Sequence, residues 1–416
     1  MTRARTSGSS WMPAWIPAVC IATLTVTSAL AQGQRNYAPG VTDTEIKIGQ
    51  TAPYSGPASA YSEIAKAELA YFRMINDQGG VNGRKITLIS LDDGYSPPKA
   101  VEQTRKLVEE ERVALIFGTT GTPTNLAIRK YLNDHEVPQL LIGSGDSQFS
   151  DPKHSPWTVP GLLSYRTEGR LYGRYIAAET PDAKIAVIYQ NDDFGKDLLE
   201  GMRQGLGAAA AKLIVATASY EVTDPTVDSQ IVTLQNSGAD TLFIAATPKA
   251  AAQAIRKVYD VGWRPRRFLD LVGSSVAAVL TPAGLEKSIG LISVLWLKDP
   301  TDPRWQNDPA YKDWRAWMAK YRPEGDLLSN FNVSGYSYAM ALTQILKRCG
   351  DDLSRENIMK QATHIDHLPL PMLMPGVTIN TSPEDFFPVK QAQLARFDGK
   401  TWAPFGSVLE AGLAQR

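Results

Sequence analysis

From Glu45 onward the chain alternates between short apolar runs and longer amphipathic ones, and few folds accommodate that rhythm. Runs at 46–50, 85–91, 113–117, 139–142, 184–189, 212–220, 241–245 and 268–271 read as strands. The stretches between them, 59–77, 97–111, 124–133, 164–179, 194–209, 226–236 and 249–259, carry helical periodicity. Repetition of this kind builds βαβ units around parallel sheets. Val, Ile and Leu stand on both faces of the strand candidates, as strands covered on both sides require. The units are too many for one sheet. Two blocks of four predict an α/β fold of two doubly wound lobes, with a break at 157–163 where "PWTVPGLLSY" interrupts the rhythm.

After 289–295 the pattern changes. Pro300, Pro303 and Pro309 punctuate a loop, and helices are predicted at 308–321, 333–348 and 355–363. The segment "QAQLARFDGKTW" alternates and then turns at Asp398-Gly399, which is hairpin chemistry. Two such lobes hold a ligand between them, at the C-terminal ends of the parallel strands.

The first residues bear on where the protein works. Arg3 and Arg5 precede an uncharged run from Trp11 to Leu30, and Ala29-Leu30-Ala31 fits a small-x-small cleavage site. This is the layout of a signal peptide over 1–31. Of the two cysteines only Cys349 would survive its removal, so no intramolecular disulfide is available, which points to a periplasm. The 43 basic and 43 acidic residues become 41 and 43 once Arg3 and Arg5 are gone. That balance offers nothing to nucleic acid or to an anionic membrane.

The loops after the strands are where ligand chemistry is expected. "FGTTGTPTN", 117–125, passes from strand through Gly and Thr into a helix, an arrangement that presents backbone N–H groups to anions. A nucleotide loop would place Gly-Lys-Ser/Thr after its second glycine, and here Thr122-Pro123 follow Gly121. "APYSGPASAY" supplies Ser55 and Tyr61, "GSGDS" supplies Ser144 and Asp146, "YQNDDFGKD" supplies Phe194, and "AATPKAA" supplies Thr247. Other candidates dissolve on inspection. Asp193-Phe194-Gly195 lacks the rest of a kinase, and His364 and His367 lack the glutamate of a metalloprotease helix. Asp92-Asp93 and Asp192-Asp193 lack calcium-loop spacing, and no nucleophile elbow is present. No catalytic group, cofactor or metal site is predicted.

Taken with "IKIGQTAPYSGPASAY", "INDQGGVNGRKITLISLDD", "PKAVEQTRKLV", "KIAVIYQNDDFGKDL" and "LQNSGADTLF", the chain resembles the periplasmic solute-binding proteins of branched-chain amino acid ABC importers. The likeness runs from about 42 to 398 and rests most on "NDQGGVNGRKI" followed by a double Asp. It implies a monomer of the type I periplasmic binding fold, whose lobes, joined by three crossovers, close on a small solute and deliver it to permease subunits. It also implies lobes at 42–161 plus 292–378 and at 162–291 plus 379–412. In amino-acid-binding relatives the loops after the third and fourth strands grip the ligand carboxylate. Those positions fall here on Gly121, Thr122, Ser144 and Asp146.

The departures matter as much. Relatives place a Tyr, a second Tyr and an acidic residue around the α-ammonium, where this chain has Phe194, Thr247 and, near the third position, Ser274. A desolvated ammonium without its carboxylate is costly. The reading therefore favours a carboxylate, preferably aromatic, over leucine or valine. A true branched-chain amino acid or amide binder, a sensor of the same fold, and an amidase using Asp146 and Asp192 are the alternatives. Asp146 itself, a carboxylate beside an expected carboxylate, must either turn away or meet a donor.

Overall fold

A computed structural model describes Met1, residues 7–12 and residues 36–410. Most of the 1–31 signal-peptide reading lies outside the described residues. The architecture below belongs to the unit that begins at Asn36.

In the first sheet β1 (Glu45–Ala52), β2 (Lys85–Asp92), β3 (Leu115–Phe117), β4 (Gln139–Ile142) and β5 (Thr158–Pro160) run in the order β2-β1-β3-β4-β5, all parallel. The second contains β6 (Ile185–Gln190), β7 (Ile214–Tyr220), β8 (Thr241–Ala245), β9 (Arg266–Leu269), β10 (Ile292–Leu295), β11 (Gln391–Phe397) and β12 (Trp402–Pro404). Its order is β12-β11-β10-β9-β8-β6-β7, parallel from β7 to β10 and antiparallel beyond. Each strand order reverses beside its first strand, β1 in one sheet and β6 in the other. A crevice opens at such a point because neighbouring loops leave in opposite directions.

Two sequence expectations change. The interrupted stretch at 157–163 contains β5, a three-residue edge strand where Pro160 forfeits no interior ladder bond. And β10 pairs with β9 and β11, so the expected lobe limit at 292 falls ahead of a strand that belongs with 162–291. The chain leaves the first sheet after β5, leaves the second after β10 for the helices Pro309–Tyr321, Asn330–Arg348 and Arg355–Ala362, and returns at β11. The crossings lie side by side. Leu163 bridges Val389, and Leu297 bridges Leu373.

Burial follows from composition. Phe117, Phe243, Phe268 and Phe397 are wholly enclosed, and each such side chain contributes roughly 1.5–3 kcal/mol. Close approach is arranged by glycine where helix Tyr165–Glu179 crosses helix Asp193–Leu206. A Cβ on Gly169 would stand 2.2 Å from the Leu198 carbonyl oxygen, and one on Gly201 2.2 Å from that of Arg166. That backbone contact joins the first turns of the one helix to the middle of the other, and Tyr165 and Phe194, near their starts, line the crevice.

Candidate functional site

The loop after β3 is held by its own side chains. Asn125 donates to the Thr119 and Gly121 carbonyls, each at 2.7 Å, and receives 2.8 Å from Gln139 Nε2. Thr124 Oγ1 donates to Thr120 O at 2.8 Å. Gly121 sits at φ 108°, and a Cβ there would lie 2.5 Å from Tyr95 Cε2, so only glycine fits. Helix Thr122–Asp134 then begins. Its first N–H, on Thr122, has no intrahelical partner by geometry, and the helix dipole places partial positive charge there.

Between the two sheets lies a cavity of about 70 Å³, counted where water centres can sit. Thr120, Gly121 and Thr122 line it from the first sheet, Phe194 and Thr247 from the second. Aromatic pairs close its sides. Tyr165 meets Phe194 edge-on at 5.0 Å, Tyr61 meets Phe331 at 5.3 Å, and Trp296 stacks on Tyr338 at 6.1 Å. Burial raises the Tyr61, Tyr95 and Tyr165 hydroxyls well above their ordinary pKa, so all three are neutral donors.

Hydrogen bonds cross from one sheet's loops to the other's. Tyr61 Oη donates to Val272 O at 3.4 Å, Asn330 Nδ2 to Ser274 Oγ at 3.4 Å, and Ser147 N and Oγ to the Asp197 carboxylate at 2.9 and 2.8 Å.

Of the residues expected from sequence, Tyr61, Gly121, Thr122, Phe194 and Thr247 meet at this cavity. Thr247 precedes helix Pro248–Asp260, and its hydroxyl is tied to Gln190 (3.0 Å) and Tyr220 (3.1 Å). Four others are not among its lining residues. Ser55 is exposed and spends its hydroxyl on Asp92 at 2.6 Å. Ser144 lies one layer behind, 2.7 Å from Thr122 Oγ1, where it orients that hydroxyl. Ser274 is buried beneath the wall, bonded to Leu271 O at 2.7 Å, while Trp402 Nε1 donates to its carbonyl at 2.8 Å.

Asp146 turns away. Its Oδ1 accepts the Gln148 N–H at 2.9 Å, and burial, reinforced by the nearby Asp197 carboxylate, lifts its pKa to about 7. Asp270, directly after β9, is no ammonium receptor either. Its oxygens accept the N–H groups of Ala246 (2.7 Å) and Gly273 (3.0 Å).

Sequence reasoning missed the wall that follows β10. Trp296, Lys298 and Asp299 line the cavity from that crossing, and Asn330, Phe331 and Tyr338 from the helix that comes after. The polar cluster "LKDPTDP" was the available signal.

Among known proteins, the periplasmic binding protein family profile matches residues 45–401. Leu/Ile/Val-binding protein homolog 1 of Brucella suis biovar 1 is 23% identical over 322 residues, 75% of this chain and 81% of the relative. A branched-chain amino acid ABC transporter structure from Thermus thermophilus with bound valine superposes at TM-score 0.79 with 16% identity, covering 89% of this chain and 97% of that one. A solute binding protein of an ABC transporter from Rhodopseudomonas palustris BisB5, in complex with 3,4-dihydroxy benzoic acid, gives 0.74 with 18% identity and coverages of 89% and 98%. At such identities the structural likeness establishes the two-lobed fold, and the profile establishes the kinship. The chain belongs to the periplasmic binding protein family.

Proposed function

We propose that this protein is the extracytoplasmic solute-binding component of an ABC importer, exported through its 1–31 segment and handing a small carboxylate to permease subunits. Its lobes are taken as 42–161 plus 297–378 and 162–296 plus 379–412, closing on the solute about the three crossings. The carrying observation is the pairing of a rigid anion-receptive turn at Gly121-Thr122 with aromatic side walls, in one cavity between the sheets.

A carboxylate suits that turn because an N-terminal N–H and a hydroxyl stabilise an anion without a counter-cation. Size agrees. A water takes roughly 10–15 Å³ on the same measure and ~30 Å³ of liquid, so the cavity suits a solute of about ten heavy atoms. Flat bodies are favoured by the edge-on rings of Tyr165 and Phe194. An α-ammonium finds no acceptor where amino-acid binders keep theirs, since Asp270 is engaged by backbone and Phe194 and Thr247 carry no charge.

The reading is tested by thermal unfolding against leucine, valine, simple amides, benzoate and cinnamate. A bound acid at a hundred times its Kd adds about 2.7 kcal/mol. A shift with the aromatic acids supports the proposal. A shift confined to leucine and valine replaces it with the branched-chain reading.

A further inference from the structure

The crossing after β10 brings a second polar group to the cavity, with chemistry opposite to that of the Gly121 turn. Asp299 is 2% exposed. Its Oδ1 accepts the N–H of Thr301 at 2.9 Å and the Thr301 hydroxyl, which anchors the side chain in a turn. Its Oδ2 is enclosed and has no hydrogen-bond partner. The same holds for Asn330 Oδ1, while Asn330 Nδ2 reaches across to Ser274. Both residues line the cavity.

No cation compensates Asp299 from its surroundings. Lys298, its neighbour on the same wall, is committed to Asp308 at 2.9 Å. The charged group that most affects Asp299 is Asp302, which repels it, and Asp302 is itself paired with Arg304 at 2.5 Å. Burial lifts the Asp299 carboxyl to about 6, so at neutral pH it is mainly an ionised, unpaired acceptor. A buried carboxylate in that condition is expensive unless a donor, best a cationic one, arrives.

We propose that Asp299 and Asn330 form a donor-reading subsite, and that the natural solute carries an amino group that donates to Asp299 Oδ2 and Asn330 Oδ1. Resting on the carboxylate reading above, this makes the solute class an amino acid whose amine is remote from its carboxylate, joined by an apolar or aromatic body. The amine is thus recognised from the crossing, and not from the strand-end loops of the second sheet.

The test uses calorimetric titration of the full protein with matched probes. These are benzoate against 4-(aminomethyl)benzoate, pentanoate against 5-aminopentanoate, and benzylamine and pentylamine without a carboxylate. Each aminated acid is expected to bind at least tenfold tighter than its parent. Asp299→Asn, which keeps the acceptor used by Thr301, should erase that gain. Asn330→Ala, on a different element, should reduce the gain by a smaller factor.

Equal binding of parent and aminated acids, or a gain that survives Asp299→Asn, overturns the subsite while the carboxylate reading stands. Binding of the amines with Asp299 dependence, but of no acid, overturns the carboxylate reading and leaves the subsite standing. If none of these probes binds, both fall.

Discussion

At the wall made by the loops after β3 and β4, most polar groups are paired, Thr122 with Ser144, Thr124 with Thr120, Asn125 with Thr119 and Gly121, while the Thr119 hydroxyl is buried without a partner. At the wall beyond β10, Asp299 Oδ2 and Asn330 Oδ1 are buried without partners. The first wall is preorganised, offering donors whose geometry is set before a solute arrives. The second holds a deficit that a solute can fill. On the proposed reading, the first wall would receive an anion on fixed donors and the second a cationic donor on an unpaired carboxylate.

The pH response separates the walls most sharply. Asp146 and Asp299 are raised from 3.8 to about 7 and about 6. A carboxyl whose folded pKa exceeds its unfolded value holds its proton more tightly in the native state. Its stabilisation is full below the unfolded value and fades as pH rises through the folded one. Unfolding free energy from urea titrations should thus fall between about pH 4 and pH 7. Asp146→Asn should recover at most about 4 kcal/mol of that loss and Asp299→Asn about 3 kcal/mol, at 1.36 kcal/mol per pKa unit. Only the second exchange should change affinity for an aminated acid. If Asp146→Asn changes it equally, the contrast between the walls collapses.

Next in size is the Gly121 turn. Gly121→Ala puts a methyl on Tyr95 and strains a left-handed φ, a cost of order 1–3 kcal/mol. Affinity for every acid in the panel, with or without an amine, should drop by about a hundredfold in calorimetry. A variant that binds normally would show that the turn adapts, contrary to a preorganised wall. Smaller still is Phe194→Leu. It removes the edge contact with Tyr165, worth about 0.5–1.5 kcal/mol, and should weaken aromatic acids more than pentanoate. The smallest effect belongs to Ser55→Ala. Since Ser55 bonds Asp92 on the exposed surface, affinities should stay within twofold, and a larger loss would return it to the site.

The same comparison explains what could be read from the sequence. The βαβ rhythm placed both sheets, because parallel strands covered on both faces must be continuously apolar. Of the residues the strand-end loops offered, Tyr61, Gly121, Thr122, Phe194 and Thr247 line the cavity. Ser144, Asp146 and Ser274 from the same loops stand one layer behind it. A loop just after a strand alternates direction residue by residue, and a shift of a single position turns a side chain from cavity to core. The wall beyond β10 follows a different logic. Nothing in "LKDPTDP" reveals which side of a crossing faces the crevice, and its orientation is decided by long-range bridges such as Leu297 to Leu373.

The contacts from Tyr61 to Val272, Asn330 to Ser274 and Ser147 to Asp197 need protein atoms alone. Under the proposed lobe closure they act on the resting equilibrium between open and closed forms. Every increment they add to the closed form raises the fraction competent to hold solute, and apparent affinity improves in proportion. The same increment narrows the contrast between empty and loaded molecules, which is the difference the proposed permease partner would sense. Tight capture and a clear loading signal thus pull those three bonds in opposite directions.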